Sequence, residues 1–211
     1  MTAWSYSRIN TFKSCPKKYY HLNVKRDVKD KGNAATYYGN EVHRAAEHYI
    51  KEGTPIPSKF KFLQRPLDVI NKIEGEKHCE IRMGVTKEGD EYAPTTFFGD
   101  GVWWRGIADL LIVYKTGKNA AYADTKQLDL LAAATFTHFP GVEVIKSALV
   151  YVVSNDFIRK EHTAELRKSY FTVFDEELDR LEVALEEGVW NAVESGLCKF
   201  CPVTSCEHNR K

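Results

Sequence analysis

The residues best suited to chemistry lie between Gly106 and Lys126, a stretch that predicts two strands joined by a turn at 116–119. Asp109 falls on the first predicted strand, and Asp124 and Lys126 fall on the second. Because strand residues two apart point to one face, Asp124 and Lys126 are expected to project together. Two carboxylates on neighbouring strands suit a hard divalent cation, and a lysine beside them can stabilise charge on a phosphate. The pattern predicts a site for phosphodiester hydrolysis, and its alternative is a hairpin whose charged side chains only face water.

A helix predicted from Tyr38 to Lys51 carries a further candidate metal ligand, His43, at the edge of its apolar stripe. A neutral imidazole is a common metal ligand, although a packed or exposed histidine is the alternative. Glu47 lies four residues later and is interpreted as a helix partner of His43 rather than as a ligand.

Cysteines crowd the end of the chain, with three of the five in the last 14 residues: Cys198, Cys201 and Cys206. Disulfides are rare in cytosolic proteins, so the spacing favours a shared metal, with free thiols as the alternative. Cys15 is the natural fourth ligand and would join the two chain ends. Four thiolates suit a [4Fe-4S] cluster or zinc, and His208 is a rival fourth ligand for zinc. Cys79 lies in a strand pattern and is predicted to be a core thiol.

Composition describes an ordinary globular chain of 211 residues, 43% hydrophobic and 28% charged. The longest apolar run, from Ala148 to Val153, is too short to span a bilayer, and no signal-peptide core is found at the N-terminus. These features predict a cytoplasmic protein.

Charge is distributed unevenly although the net charge is +1: residues 1–31 hold eight Lys/Arg and two Asp/Glu, and residues 175–194 hold eight Asp/Glu and one Arg. The basic segment can meet a phosphate backbone, although a solvated basic face is the commoner cause of such a bias. Trp103, Trp104 and Arg105 precede the central stretch, where aromatic and guanidinium planes can stack on bases of a single strand or pack in the core.

The element order predicts an α/β fold with a mixed sheet and helices on both faces. Ser5 or Ser7 is expected to cap the first helix, and Ser58 the third. Strands are expected at 79–85, 148–153 and 170–174, and a helix at 128–136. The last helix is predicted to run from 175 to 196 with four aliphatic residues facing inward: Leu178, Leu181, Leu185 and Val189. We predict one domain over 1–211, with a helical part (1–75), a sheet core carrying the site (76–174) and a helix with a metal-binding tail (175–211).

Together these segments resemble the RecB-like branch of the PD-(D/E)XK nuclease superfamily. The matching segments occur in family order along nearly the whole chain: Ser7 to Tyr19, Gly39 to His43, Arg105 to Asp109, Asp124 to Lys126, and the terminal cysteines. The cysteine arrangement is similar to that of iron–sulfur members such as the CRISPR-adaptation exonucleases and AddB-type helicase-nucleases. The short length is similar to that of phage-encoded exonucleases.

The resemblance implies a restriction-endonuclease-like core and a metal-dependent DNA exonuclease that acts on single-stranded ends in recombination, repair or phage DNA metabolism, with a helicase or recombination protein as partner. It implies that His43, Asp109 and Asp124 hold Mg²⁺ or Mn²⁺, with Lys126 as the catalytic lysine. It further implies that Cys15, Cys198, Cys201 and Cys206 hold a structural [4Fe-4S] cluster, with zinc as the alternative.

The chain departs from the family pattern because Gln127 follows Lys126 directly, without the usual Thr-Gly-Lys and loop. Two registers are open. In the first, Asp124 and Lys126 are catalytic and the following loop is lost. In the second, Lys115 is the family lysine, with Val113 where its acid should be. Gln127 then begins the usual helix, a strand carrying the acid has been deleted, and the metal site is damaged. The first register is preferred because it keeps the second carboxylate. The resemblance implies DNA contacts from Arg105, Lys115 and Gln127.

Two other functions stay open at this level. One is a catalytically degraded DNA-binding relative with the same fold, and the other is a zinc-stapled protein-interaction module.

Overall fold

The computed structural model describes residues 3–89, 101–113, 125–151 and 156–210. The α-helices in these ranges are α1 (Tyr6–Ser14), α2 (Pro16–Tyr19), α3 (Ala34–Glu52), α4 (Gln64–Asn71), α5 (Lys126–His138), α6 (Arg167–Phe171) and α7 (Asp175–Glu187). The strands are β1 (Glu76–Val85), β2 (Trp104–Val113), β3 (Val144–Tyr151) and β4 (Asp156–Thr163). Short 3₁₀ segments occur at Ser58–Leu63, Ala164–Leu166, Thr172–Phe174 and Cys198–Phe200, and a π-helical turn at Tyr20–Val24.

The chain divides into two compact units. One contains both chain ends, residues 1–31 and 172–211, and the other contains residues 32–171. The single domain expected over 1–211 stays a prediction.

In the unit that contains the chain ends, α1 packs against α7. Ser5 caps α1, as expected, by accepting a hydrogen bond from the Arg8 N–H at 3.4 Å. The Trp4 and Phe174 rings meet edge to face with their centroids 5.9 Å apart, and both side chains are buried. The basic N-terminal segment therefore has an apolar anchor on the C-terminal part of the chain.

Ion pairs within this unit join the basic segment to the acidic one. Lys13 Nζ lies 2.6 Å from Glu177 Oε1, and Lys17 pairs with Glu207. These lysines neutralise carboxylates of the same unit. Part of the positive charge of residues 1–31 therefore serves ion pairs within the protein rather than binding of phosphates.

In the other unit, the antiparallel pair β1–β2 lies between two helices. Thr135 of α5 donates a hydrogen bond to Met83 Sδ at 3.7 Å, and Leu131 of α5 approaches Gly106. Side chains alternate along a strand, so residues one position away from Gly106 point to the opposite face, against which α3 packs.

Gly106 has a steric reason to be glycine. A Cβ atom at this position would lie 2.5 Å from the indole Cη2 of Trp104, which is itself buried. Since real side chains do not tolerate such a contact, the close packing of Trp104 over β2 requires glycine two residues later.

The pair β3–β4 packs against α5 and carries a buried polar network. His162 Nε2 lies 2.8 Å from Asp129 Oδ1, and Lys160 Nζ lies 2.6 Å from the same oxygen. His162 is fully buried and Asp129 is 4% exposed. Burial opposes ionisation of Asp129, but the hydrogen bonds from His162 and Lys160 outweigh it and hold the pKa of this carboxyl below its ordinary value.

The predicted α/β class is confirmed, and the described strands pair as two antiparallel two-stranded sheets. The strand expected at 170–174 is wrong: these residues are helical. Strand β4 was not predicted, because its Arg, Lys, Glu and His residues hide the alternation. None of the helices in the described part of the chain is both long and apolar enough to cross a membrane.

The last helix ends earlier than predicted, because Gly188 adopts a left-handed conformation (φ 70°) and donates its N–H to Ala184 O. Leu178 and Leu181 face inward as expected. Leu185 and Val189, 40% and 51% exposed, do not.

Candidate metal centre

Two acidic residues face each other across β1–β2. Cys79 pairs with Leu110 and Ile81 with Ala108, which places Glu80 opposite Asp109. Both point to the sheet face opposite Gly106, toward α3. Two carboxylates on one rung repel each other unless a cation or a proton lies between them.

The backbone at Glu80 is strained. Its φ of 54° lies in the left-handed region, which a non-glycine residue in a strand rarely adopts. Strain of this kind is commonly found where function fixes a side chain. At Glu80 it occurs beside a second carboxylate.

His43 of α3 completes a group of three ligand atoms. The side chains of His43, Glu80 and Asp109 each offer one ligand atom, and these atoms all lie within 4.8 Å of one another. His43 Nδ1 lies 3.6 Å from Asp109 Oδ1. One imidazole nitrogen and two carboxylate oxygens form a donor set that fits a divalent cation such as Mg²⁺ or Mn²⁺. Within the ranges that the structure describes, no other group of three or more histidine, cysteine and acidic side chains comes this close together.

The position of His43 follows from the sequence of α3. The Asn33 side chain accepts a hydrogen bond from Thr36 N–H at 3.0 Å, and the Asn33 N–H donates to the Thr36 hydroxyl. This capping box starts the helix four residues before the predicted start, and Gly53 ends it with φ 68°. His43 lies near the middle of the helix and is 57% exposed.

Electrostatics at the group oppose ionisation of Glu80. Burial raises the pKa of Glu80, and the carboxylates of Asp109 and Glu47 raise it further. His43 and Lys51 act in the opposite direction. Because the surroundings of Glu80 oppose its ionisation, a bound cation would stabilise the carboxylate form of this side chain.

Glu80 is the site residue that the sequence analysis missed. The alternation of Cys79, Ile81 and Met83 assigns Glu80 to the polar face of a strand, where an acid attracts no attention. Two acidic residues opposite each other in an antiparallel pair are unfavourable and therefore indicate a site. This indication appears only once the β1–β2 register is known.

Lys126, which was predicted to lie on the strand after that of Asp109, is placed differently. Lys126 is the first residue of α5 and not a strand residue, and Gln127 follows it in the first helical turn. The expectation that Lys126 projects from a strand is therefore wrong. Asp124, predicted on that same strand, and Lys115, the lysine of the second register, lie outside the described residues.

Arg105 lies on the same face of β2 as Asp109, four residues away, or about 14 Å at the usual rise of a strand. Trp104 is 1% exposed and packs edge to face on Phe171 with centroids 5.8 Å apart. Trp104 belongs to the core, as expected for at least one of the two tryptophans, and is not available to stack on bases. Trp103 is half-buried and also meets Phe171 edge to face.

The four cysteines predicted to share a metal all belong to the unit that contains both chain ends. Lys17 joins their segments: its N–H donates to Asn191 O at 3.1 Å, and its ammonium interacts with Cys15, Cys206 and Glu207. The pKa of Lys17 is raised chiefly by the hydrogen bond to Glu207. Cys79 is buried and belongs to the other unit, as a core thiol.

The sulfurs are not closely packed around a point. No three cysteine sulfurs among the described residues lie within 4.8 Å of one another. A zinc ion at about 2.3 Å from each ligand would require closer spacing, whereas the larger core of a cluster holds its cysteines farther apart.

Comparison with known proteins identifies the family. The model of the PD-(D/E)XK nuclease superfamily matches residues 3–206, which include both compact units and the His43, Glu80 and Asp109 group. No curated protein matches the chain significantly. The match confirms the restriction-endonuclease-like fold and makes DNA the expected substrate class. Since the matched range covers nearly all of the chain, the protein belongs to the PD-(D/E)XK nuclease superfamily, whose members use divalent metals.

Proposed function

We propose that the protein is a metal-dependent DNA exonuclease that prefers single-stranded ends. The observation that carries the proposal is the convergence of His43, Glu80 and Asp109 within 4.8 Å, in a chain of a nuclease superfamily. The resemblance to RecB-like exonucleases supports action at ends, in recombination, repair or phage DNA metabolism.

His43 and Asp109 are proposed to hold Mg²⁺ or Mn²⁺ together with Asp124, and Glu80 joins them as a further ligand. A bound divalent cation would act as a Lewis acid that acidifies water and neutralises charge developing on the phosphate. The high exposure of His43 (57%) and Asp109 (69%) leaves the group open to a DNA strand.

Other side chains are proposed to bind and orient the substrate. Lys126 orients the attacking water or stabilises phosphate charge, and Asp124 supplies the second carboxylate of the family motif. Arg105, Lys115 and Gln127 contact the DNA backbone or bases. The position of Arg105 on the same strand face as Asp109 supports its assignment.

The four cysteines Cys15, Cys198, Cys201 and Cys206 are proposed to bind a structural [4Fe-4S] cluster, with zinc as the alternative. The Lys17–Glu207 pair supports this, because it joins a residue next to Cys206 to the segment that carries Cys15. We further propose a cytoplasmic location and a helicase or recombination protein as partner.

The test is digestion of end-labelled single- and double-stranded DNA with and without Mn²⁺. Shortening of the single-stranded substrate from its ends, faster than that of the duplex and abolished by a chelator, is the expected result. Cleavage of circular single-stranded DNA would contradict the proposal that the activity is exonucleolytic. Failure to cleave either kind of DNA would contradict the proposal that the protein is a nuclease.

A second candidate is a DNA-binding relative without catalysis. It is favoured by the helical position of Lys126, because the family lysine normally follows its acid on a strand. Salt-dependent binding of single-stranded DNA without Mn²⁺-dependent cleavage would support this candidate instead.

A further inference from the structure

An ammonium group lies on the helix that supplies His43, about two turns further along the chain. Glu47 and Lys51 follow His43 at steps of four residues, so the three side chains form a row along α3. Lys51 Nζ lies 2.6 Å from Glu47 Oε1. The row begins at a candidate metal ligand and ends at a primary amine.

Lys51 interacts with the metal group electrostatically. Its ammonium favours the ionised form of Glu80, while the Glu80 and Glu47 carboxylates favour the charged form of Lys51. The pKa of Lys51 is raised, chiefly by the hydrogen bond to Glu47. The Lys51 side chain is 43% exposed, so it can be reached by a molecule in solution.

We propose that Lys51 is a catalytic residue of this site, whose ammonium binds the phosphate oxygens of the DNA strand next to His43, Glu80 and Asp109. The inference rests on the proposed nuclease function and names a residue for that same site. Glu47 acts as a positioning residue, because it holds the ammonium on the side of α3 that carries His43 until a phosphate replaces it as partner.

The chemistry needs such a cation. In hydrolysis a water oxygen bonds to phosphorus, the bond from phosphorus to the leaving sugar oxygen breaks, the water loses one proton and the leaving oxygen gains one. Negative charge accumulates on the non-bridging oxygens as these bonds change, and a positioned ammonium stabilises it. Lys51 forms no covalent bond and transfers no proton in this step.

The flexible stem of a lysine suits this role. Four methylene groups allow the ammonium to move from Glu47 to a phosphate without a change in α3. Lys126 belongs to α5 rather than a strand, so the sheet does not fix it relative to Asp109 as the family motif would. A lysine on α3 shares its helix with His43 and therefore has a defined place at the site.

The experiment compares Lys51→Met, Lys51→Arg and a matched control, Lys59→Met. Lys59 belongs to the same unit, forms an exposed pair with Glu41 at 3.0 Å, and places its ammonium over the Phe60 ring. Single-turnover cleavage of single-stranded DNA is measured at saturating Mn²⁺, and Mn²⁺ affinity is measured without DNA. Thermal unfolding checks that each variant is folded.

Lys51→Met is expected to lower the cleavage rate about 10²-fold, as for loss of one electrostatic stabiliser. Lys51→Arg keeps the charge and is expected to restore most of the rate, and Lys59→Met to match wild type. Because Lys51→Met removes a positive charge and frees Glu47, Mn²⁺ is expected to bind about two- to fivefold more tightly. A merely structural lysine would not tighten metal binding.

The outcomes separate this inference from the proposed function. Wild type without cleavage overturns both. Active wild type with Lys51→Met within threefold of its rate overturns the role of Lys51 alone. Equal loss of rate and of melting temperature in Lys51→Met and Lys51→Arg also overturns it, since a structural role would then explain the loss.

Discussion

Glu80 and Asp109 face each other across β1–β2, with their carboxylate oxygens within 4.8 Å. Like charges on one rung destabilise a sheet, and the left-handed backbone of Glu80 adds a second unfavourable term. Neither feature helps the chain to fold. Both are explained if the protein trades local stability for a cation site, as functional sites commonly do.

The first prediction follows from this conflict. Glu80→Gln removes the repulsion, so the metal-free variant is expected to be more stable than wild type by about 0.2–1 kcal/mol. The same variant loses a ligand, so the stabilisation that Mn²⁺ gives to wild type should shrink. Urea unfolding with and without Mn²⁺ measures both effects.

Glu76→Gln is the control, because Glu76 lies at the start of the same strand, is 76% exposed and faces an aliphatic residue. Its contact with His78, at 3.5 Å, is made by an exposed carboxylate and is of the kind that contributes little to stability. It is expected to leave both quantities unchanged. A Glu80→Gln protein that is less stable without metal would contradict the interpretation.

The second prediction concerns Asp109, whose side chain is 69% exposed and whose removal creates no cavity. Asp109→Ala is expected to abolish Mg²⁺-dependent DNA cleavage and to leave the circular dichroism spectrum intact. Gel assays of end-labelled DNA measure the activity. Full activity in this variant would remove Asp109 from the site.

The sequence predicted the helices of the fold better than its strands. The apolar stripe of α3 and the Pro140-Gly141 stop after α5 are local signals, and both correspond to helices in the structure. Strand β4 was not predicted because its inward-facing residues are polar. Lys160 and His162 point toward the buried helix α5, where they pair with Asp129. Sequence periodicity cannot reveal a buried network of polar side chains whose hydrogen-bond partners are one another.

The candidate site was predictable only in part. His43 and Asp109, 66 residues apart in the sequence, were named from residue type and spacing, and the structure brings them together. Glu80 was missed because its contribution depends on the β1–β2 register and on a backbone conformation that its residue type disfavours. Tertiary pairing, rather than local sequence, created that ligand.

The third prediction separates the two registers of the lysine motif. If Lys126 is the family lysine, Lys126→Ala is expected to lower the cleavage rate by a factor on the order of 10²–10³. Lys115→Ala is then expected to leave the rate nearly unchanged. Single-turnover rates at saturating Mn²⁺ measure both. The reverse ranking would assign the role to Lys115.

The fourth prediction concerns the buried network at Asp129. Asp129→Asn leaves Lys160 and the buried His162 without their acceptor charge, and it is expected to cost about 3 kcal/mol of unfolding free energy. Because the pKa of Asp129 is depressed in the folded state, its stabilisation is present above the ordinary value of 3.8 and is lost as pH falls through the lower folded value. The difference between wild type and variant should therefore shrink below about pH 4.

Urea unfolding at pH 7 and at pH 3 tests this pH dependence. Glu161→Gln is the control, since Glu161 is an exposed residue of the same strand. It is expected to change little at either pH. A difference between wild type and Asp129→Asn that stays constant from pH 7 to pH 3 would show that the carboxylate charge contributes nothing.

The last prediction concerns the cysteines at the two chain ends. The tail after Gly196 buries few apolar side chains: Val203 is 1% exposed, whereas Leu197 and Phe200 are 72% and 66% exposed. A segment with so little apolar burial needs another constraint, and structural metal binding can contribute on the order of 10 kcal/mol to folding.

Cys15→Ser and Cys201→Ser are therefore expected to lower metal content and melting temperature together, and by similar amounts, because each removes one ligand of the same centre. Cys79→Ser, in the other unit, should keep the metal content of wild type. Elemental analysis after anaerobic purification measures iron and zinc, and a brown protein identifies the iron–sulfur cluster. Wild-type metal content in Cys15→Ser would exclude this residue from the centre and leave the three tail cysteines to bind without it.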